Sequence, residues 1–116
     1  MRRTRSSLAA ALAVVGAACG VLSIEEQILA DFFRAARLRD TTMMARVSAV
    51  DFNPRTDGIV DRFEIAGTHA GATKDARVLV LDARVRRLDG SSDDRRLTVT
   101  LQRGPDGRWR IVELTG

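Results

Sequence analysis

Arg95-Arg96-Leu97-Thr98-Val99-Thr100-Leu101-Gln102-Arg103 alternates polar and apolar residues without a break from Arg96 onward. Side chains in a strand point to opposite faces in turn, so Leu97, Val99 and Leu101 share one face while Arg96, Thr98, Thr100 and Gln102 share the other. A strand with one apolar and one wet face belongs to an antiparallel sheet backed on one side. Upstream, Ala76 to Leu88 places Leu79, Leu81, Ala83 and Val85 on one face. Val78 and Val80 on its other face predict that the first half is covered on both sides or lies at an interface. Asp89-Gly90-Ser91-Ser92-Asp93-Asp94 reads as the turn between these two strands, and Gly104-Pro105-Asp106-Gly107 as the next reversal, before a last strand from Trp109 to Thr115. The first strand is expected over Ile59 to Ala66, with Ile59, Asp61, Phe63 and Ile65 on one face and Arg62 and Glu64 opposite. Gly67 to Asp75 reads as a polar loop.

Ahead of the strands the period changes to that of a helix. Ser23 followed by Glu26 is a capping-box pattern, and Ile24, Ile28, Phe32 and Ala36 recur every fourth residue, with Leu29, Phe33 and Ala35 widening the stripe. This predicts a helix from Ile24 to Arg39. Asp40 caps a shorter helix carrying Met43, Met44 and Val47, which Asp51 to Pro54 ends. Pro54 holds Asn53 extended, and Thr56-Asp57-Gly58 turns the chain into the first strand. The fold class is therefore α+β: one long and one short N-terminal helix packed on a curved, roughly four-stranded antiparallel sheet.

The first eighteen residues have a different character. Arg2, Arg3 and Arg5 precede the apolar run Leu8 to Ala18, too short to span a bilayer and of the length of a secretory signal. Ala17-Ala18-Cys19 resembles the end of a lipobox, although Gly16 stands where a bulky aliphatic residue is usual. Cleavage before Cys19 with lipidation of its thiol is one expectation; plain cleavage after Ala18, leaving Cys19 unmodified, is the other. Residues 1–18 are thus expected to be a signal peptide, 19–23 an anchor or linker, and 24–116 a single domain. The expected location is a bacterial cell envelope, periplasmic or membrane-anchored.

The net charge of +4 and the pI near 10.8 suggest nucleic-acid binding at first sight. Three of the nineteen basic residues lie in the signal, leaving sixteen against fifteen acidic ones, interleaved along the chain. Such a domain has little electrostatic drive toward phosphate, and no nucleic-acid partner is expected.

Asp31-Phe32-Phe33-Arg34-Ala35 in the first helix, Asp40 at the second, and Gly107-Arg108-Trp109-Arg110-Ile111 at the last strand resemble the nuclear-transport-factor-2-like superfamily. The resemblance covers Ile24 to the C-terminus and implies a cone-like α+β roll. It also implies a range of roles, from isomerases and dehydratases to non-catalytic binding domains, among which fold alone does not choose. The enzymes compared use a carboxylate base with tyrosine or histidine donors. This sequence has no tyrosine, and its one histidine, His69, falls in the expected loop.

No catalytic residue, cofactor or metal is therefore assigned. Asp61 and Asp82 are the weak catalytic candidates, because burial in a cavity would raise their pKa values toward acid–base use. Pairing with Arg62, Arg77, Arg84 or Arg86 is the blander expectation for both. Asp89, Asp93 and Asp94 with Ser91 and Ser92 lack the spacing of a calcium loop and read as a solvated turn. The sequence as a whole points to an exported, lipid-anchored, non-enzymatic envelope protein whose small domain binds a partner protein or a small apolar ligand. A small isomerase or hydrolase-like enzyme using Asp61 or Asp82 is the alternative. A homodimer through the outer sheet face, including Val78, Val80, Val112 and Leu114, is expected as well.

Overall fold

The computed structural model describes residues 22–116. The signal segment 1–18 and the lipidation candidate Cys19 lie outside the described residues.

Helix α1 spans Ile24–Leu38. The Ser23 hydroxyl accepts from the Glu26 N–H at 3.1 Å, satisfying one of the unpaired donors of the first turn. The expected reciprocal box forms only in part, because Ser23 also donates its hydroxyl to the Glu26 carboxylate at 3.2 Å. Leu29, Phe32, Phe33, Ala35 and Ala36 are buried as the stripe requires. Ile24, placed in that stripe by its spacing, is instead 59% exposed, because it lies at the very start of the helix, where the covering sheet ends. Arg39 takes the left-handed conformation with φ 56° and closes α1, one residue earlier than expected. Asp40 then caps α2, Thr41–Val47, by accepting from the Met43 N–H at 3.0 Å.

After α2 the chain makes a short parallel bridge from Ser48 to Ile111, with the Ala49 N–H donating to the Ile111 carbonyl at 2.8 Å. A single helical turn, α3, follows at Pro54–Asp57, with Asn53 extended before it and its side chain accepting from the Arg55 N–H. Gly58, at φ 85°, starts the sheet.

Four strands follow as an antiparallel meander in the order β1-β2-β3-β4: β1 Ile59–Ala70, β2 Ala76–Arg86, β3 Ser92–Arg103 and β4 Trp109–Thr115. Leu79, Leu81, Ala83 and Val85 of β2 and Leu97, Val99 and Leu101 of β3 are buried against Leu29, Phe32 and Phe33 of α1. Those faces are the expected ones. The architecture is α+β, a four-stranded antiparallel sheet with its helices on one side.

Three departures come from local irregularity. A bulge between Val60 and Arg62 adds one residue to β1, so Val60 enters the core and Asp61 leaves the face it was expected to share with Phe63 and Ile65. β1 also continues through Gly67 to Ala70, past a second bulge after Ile65, so His69 is a strand residue opposite Val78 and not part of a loop. In β4 a bulge between Ile111 and Glu113 leaves Val112 unpaired and turns Leu114 inward, opposite Val99 and against the core. Leu114 therefore does not belong to the outer face. The turn after β2 is shorter than expected, and Ser92, Asp93 and Asp94 are part of β3.

Candidate functional site

The space between α1 and the sheet is filled. Phe32 meets Phe33 and Phe52 edge to face at centroid distances of 5.4 and 5.5 Å, and Phe33 meets Phe63 at 5.5 Å. Each such pair adds about 0.5–1.5 kcal/mol beyond its burial. Phe32, Leu29, Leu79, Leu81 and Val99 have no exposed surface at all.

Asp61 and Asp82 lie elsewhere. Asp61, on the bulge of β1, accepts from Arg86 Nε and Nη2, each at 3.2 Å, a two-point guanidinium clamp. Asp82 faces away from the helices and accepts from Arg96 Nε at 3.0 Å, and its side chain is 54% exposed. The structure does not bring the two carboxylates into one enclosed site. Arg86 was among the foreseen partners, but Arg96 was not. Reading the turn as Asp89 to Asp94 centres the hairpin too far along the chain; the true turn pairs Arg86 with Ser92, which sets Asp82 opposite Arg96.

The helix-free face of the sheet holds two kinds of surface. Toward the β2–β3 turn, Arg62, Arg84 and Asp94 form one cross-strand row and Glu64, Asp82 and Arg96 the next. Arg84 donates to Asp94 at 3.2 Å. Toward the other end, Gly67, Val80, Thr98 and Thr115 form a row, followed by His69, Val78, Thr100 and Glu113. Val78, Val80, Thr98 and Thr100 are half-buried although none of the described helices packs on that side, and neighbours on the pleat shield one another. The face thus carries both charge signs in balance beside a stripe of valines and threonines that ends in Glu113.

Beyond Arg86 the β2–β3 turn has its own pairs. Arg87 Nη2 donates to Asp93 at 3.1 Å, and the Asp89 carboxylate accepts from the Ser91 hydroxyl at 2.6 Å and the Ser91 N–H at 2.9 Å. The Arg87 hydrogen bond, aided by its charge, holds the Asp93 carboxyl below the usual aspartate range, and the Ser91 hydroxyl does the same for Asp89. Asp93 in turn raises Arg87. Asp93 and Asp94 are thus committed to arginines, and among the described residues no cluster of side chains is arranged to hold a metal ion.

At the opposite end a cluster forms that the strand pattern did not reveal. Arg77 pairs with Glu25 of α1, Arg103 Nε donates to Asp75 at 3.0 Å, and both guanidinium groups approach the Trp109 ring, at 4.9 and 5.3 Å from its centre. The missed signal was phase: Arg77 and Arg103 continue the inward faces of their strands past the last leucine, where a long side chain can lie along an apolar surface with its charge at the rim. A shallow groove of about 420 Å³ runs beside α2, with Met44, Val50 and Phe52 in its apolar wall and Thr41, Ser48, Asn53, Asp51 and Asp57 as its polar groups.

None of the known family models matches this chain, and none of the curated proteins does. Among solved structures, a SEC-C motif containing protein from Rhodopseudomonas palustris, determined in solution, superposes with a TM-score of 0.59 at 15% identity. The match covers 78% of this chain and 77% of that one, and the likeness is one of fold.

Proposed function

We propose that this chain is an exported, lipid-anchored, non-enzymatic protein of a bacterial envelope, whose small α+β domain works by binding at its surface. The observation that carries the binding reading is the ring-filled interior: with Phe32, Phe33, Phe52 and Phe63 in mutual contact, the surface is what remains for recognition. An acid–base enzyme would need Asp61 or Asp82 enclosed, and each is instead exposed and clamped by an arginine. In the same reading the domain is a small cone-like relative of the nuclear-transport-factor-2-like superfamily, supported by one long and two short described helices preceding a four-stranded meander.

Two surfaces suit the two kinds of partner. The groove walled by Met44, Val50 and Phe52 fits a small apolar ligand, since apolar walls with a few polar groups are how such sites hold and orient one. The sheet face away from the described helices, where a row of two arginines and an aspartate lies beside a row of two carboxylates and an arginine, fits a second copy of the chain, because a two-fold axis can set the first row against the second. Anchoring is tested by growing cells with a clickable fatty acid: the wild-type chain is expected to be labelled and membrane-bound, and a Cys19→Ser chain neither. Equal labelling of both overturns it. Sedimentation showing only monomer at micromolar concentration overturns the dimer.

A further inference from the structure

We infer that the end of the domain formed by the start of α1, the β1–β2 turn and the β3–β4 turn lies against the lipid bilayer, with Leu22 and Ile24 in contact with it. The inference rests on the anchoring of Cys19 proposed above and adds an orientation to it. Leu22 is 56% exposed and Ile24 59% exposed, adjacent in sequence to the helix cap at Ser23. Among the described residues neither belongs to the core or to the side chains packed against it. An apolar residue just before a helix cap often packs on the fourth helical residue, but that residue here is Gln27, so the staple has no second half. Two large aliphatic side chains at a helix start, unused by the fold, mark a surface completed by something apolar.

The tether decides what that is. Four residues carry the chain from Cys19 to Ser23, and a fully extended chain covers at most about 3.6 Å per residue, so α1 starts within about 14 Å of a lipidated Cys19. Strands of eleven or twelve residues rise about 3.4 Å per residue, which carries the β2–β3 turn well beyond that reach. Leu38 and Leu88 are also exposed, but they lie at that far end. The near end is suited to an interface. The Trp109 ring sits at its rim beneath the guanidinium groups of Arg77 and Arg103, an amphipathic arrangement with apolar stems below and charge above. Glu25 and Asp75 neutralise those two arginines, and Glu26 and Asp106 balance Lys74 and Arg108 in number. Contact is therefore driven by the aliphatic pair, and depends little on salt or on anionic lipid.

Depth-dependent fluorescence quenching tests this on the full, acylated chain. Acylation consumes the thiol of Cys19, so an introduced cysteine becomes the one site for an NBD label. Lys74→Cys and Arg108→Cys sample the near end, Ser91→Cys the far end and Thr98→Cys the helix-free sheet face. In vesicles of phosphatidylcholine containing a nitroxide-bearing lipid, labels at 74 and 108 are expected to be quenched, with those at 91 and 98 unquenched. Adding Leu22→Asp and Ile24→Asp leaves the protein on the vesicles and abolishes the quenching at 74. Equal quenching at 91 or 98, or quenching at 74 that survives the double substitution, overturns the orientation while leaving the anchor intact. A chain that does not sediment with vesicles at all overturns both.

Discussion

The Arg77 guanidinium lies 4.9 Å from the centre of the Trp109 ring, joining the second strand to the fourth across the end of β3. Cation–π contacts at partly exposed sites contribute about 0.5–1 kcal/mol each. Trp109 is the only tryptophan, so its emission reports the stack directly. Arg77→Ala is expected to lower stability by about that amount and to shift the emission to the red as water reaches the ring. An unchanged spectrum would show that the stack does not form.

Phe32 is the centre of the core, fully buried and in contact with two other rings. Phe32→Ala is expected to cost about 3–5 kcal/mol, from lost transfer energy and the cavity left behind. Phe52→Ala, at a half-buried site on the groove, should cost less. Urea unfolding of the two variants measures the difference.

Arg39 holds a left-handed backbone conformation that costs a residue with a Cβ about 1–2 kcal/mol. Its side chain takes part in none of the ion pairs among the described residues. Arg39→Gly relieves the strain and loosens the unfolded chain, for a net gain of about 0.5–1 kcal/mol in thermal unfolding.

Gly58 presents the reverse case. At φ 85°, a Cβ there would stand 2.5 Å from Val85 Cγ1 and 3.2 Å from the Arg86 carbonyl oxygen. Gly58→Ala combines a conformational cost of about 1–2 kcal/mol with overpacking of about 1–3 kcal/mol. A melting temperature within a degree or two of wild type would contradict the close approach of α3 to β2.

Asp93 and Asp89 have carboxyls held below the usual aspartate value, so in the folded state they keep their charge to lower pH than in the unfolded chain. Their contribution is present above the ordinary aspartate value of about 3.9 and is lost as pH falls through the lower folded values. Asp93→Asn is expected to flatten the acid limb of a stability profile and leave its shape near neutral pH unchanged. Chemical unfolding at a series of pH values from neutrality down through and below the ordinary aspartate value reads that loss.

Much of the sheet was legible because Leu79 to Val85 and Leu97 to Leu101 keep period two over regular backbone. The phase failed wherever an extra residue entered. Ile59, Asp61 and Leu114 were assigned to the wrong face because bulges at Asp61 and Val112 shift the count by one, and nothing in side-chain chemistry announces a bulge. The Trp109 cluster was hidden for another reason: Glu25, Asp75 with Arg77, and Arg103 come from three separate stretches, and only the fold brings them together. Asp61 and Asp82 could be named from sequence, and so could Arg86, but the pairing of Asp82 with Arg96 required the hairpin geometry.

Each strand of the meander pairs only with its neighbours in sequence, so the three hairpins can close locally as they are made. Helix α1 has no such privilege. It is synthesised before every strand, yet Leu29, Phe32 and Phe33 are covered by residues from Val60 to Ile111. Along a chain that emerges from its N-terminus, the helix with the buried face is therefore the first of the described elements to be made and the last to be sheltered. Its exposed stripe must wait, unprotected or in the care of a chaperone, until nearly the whole sequence has appeared.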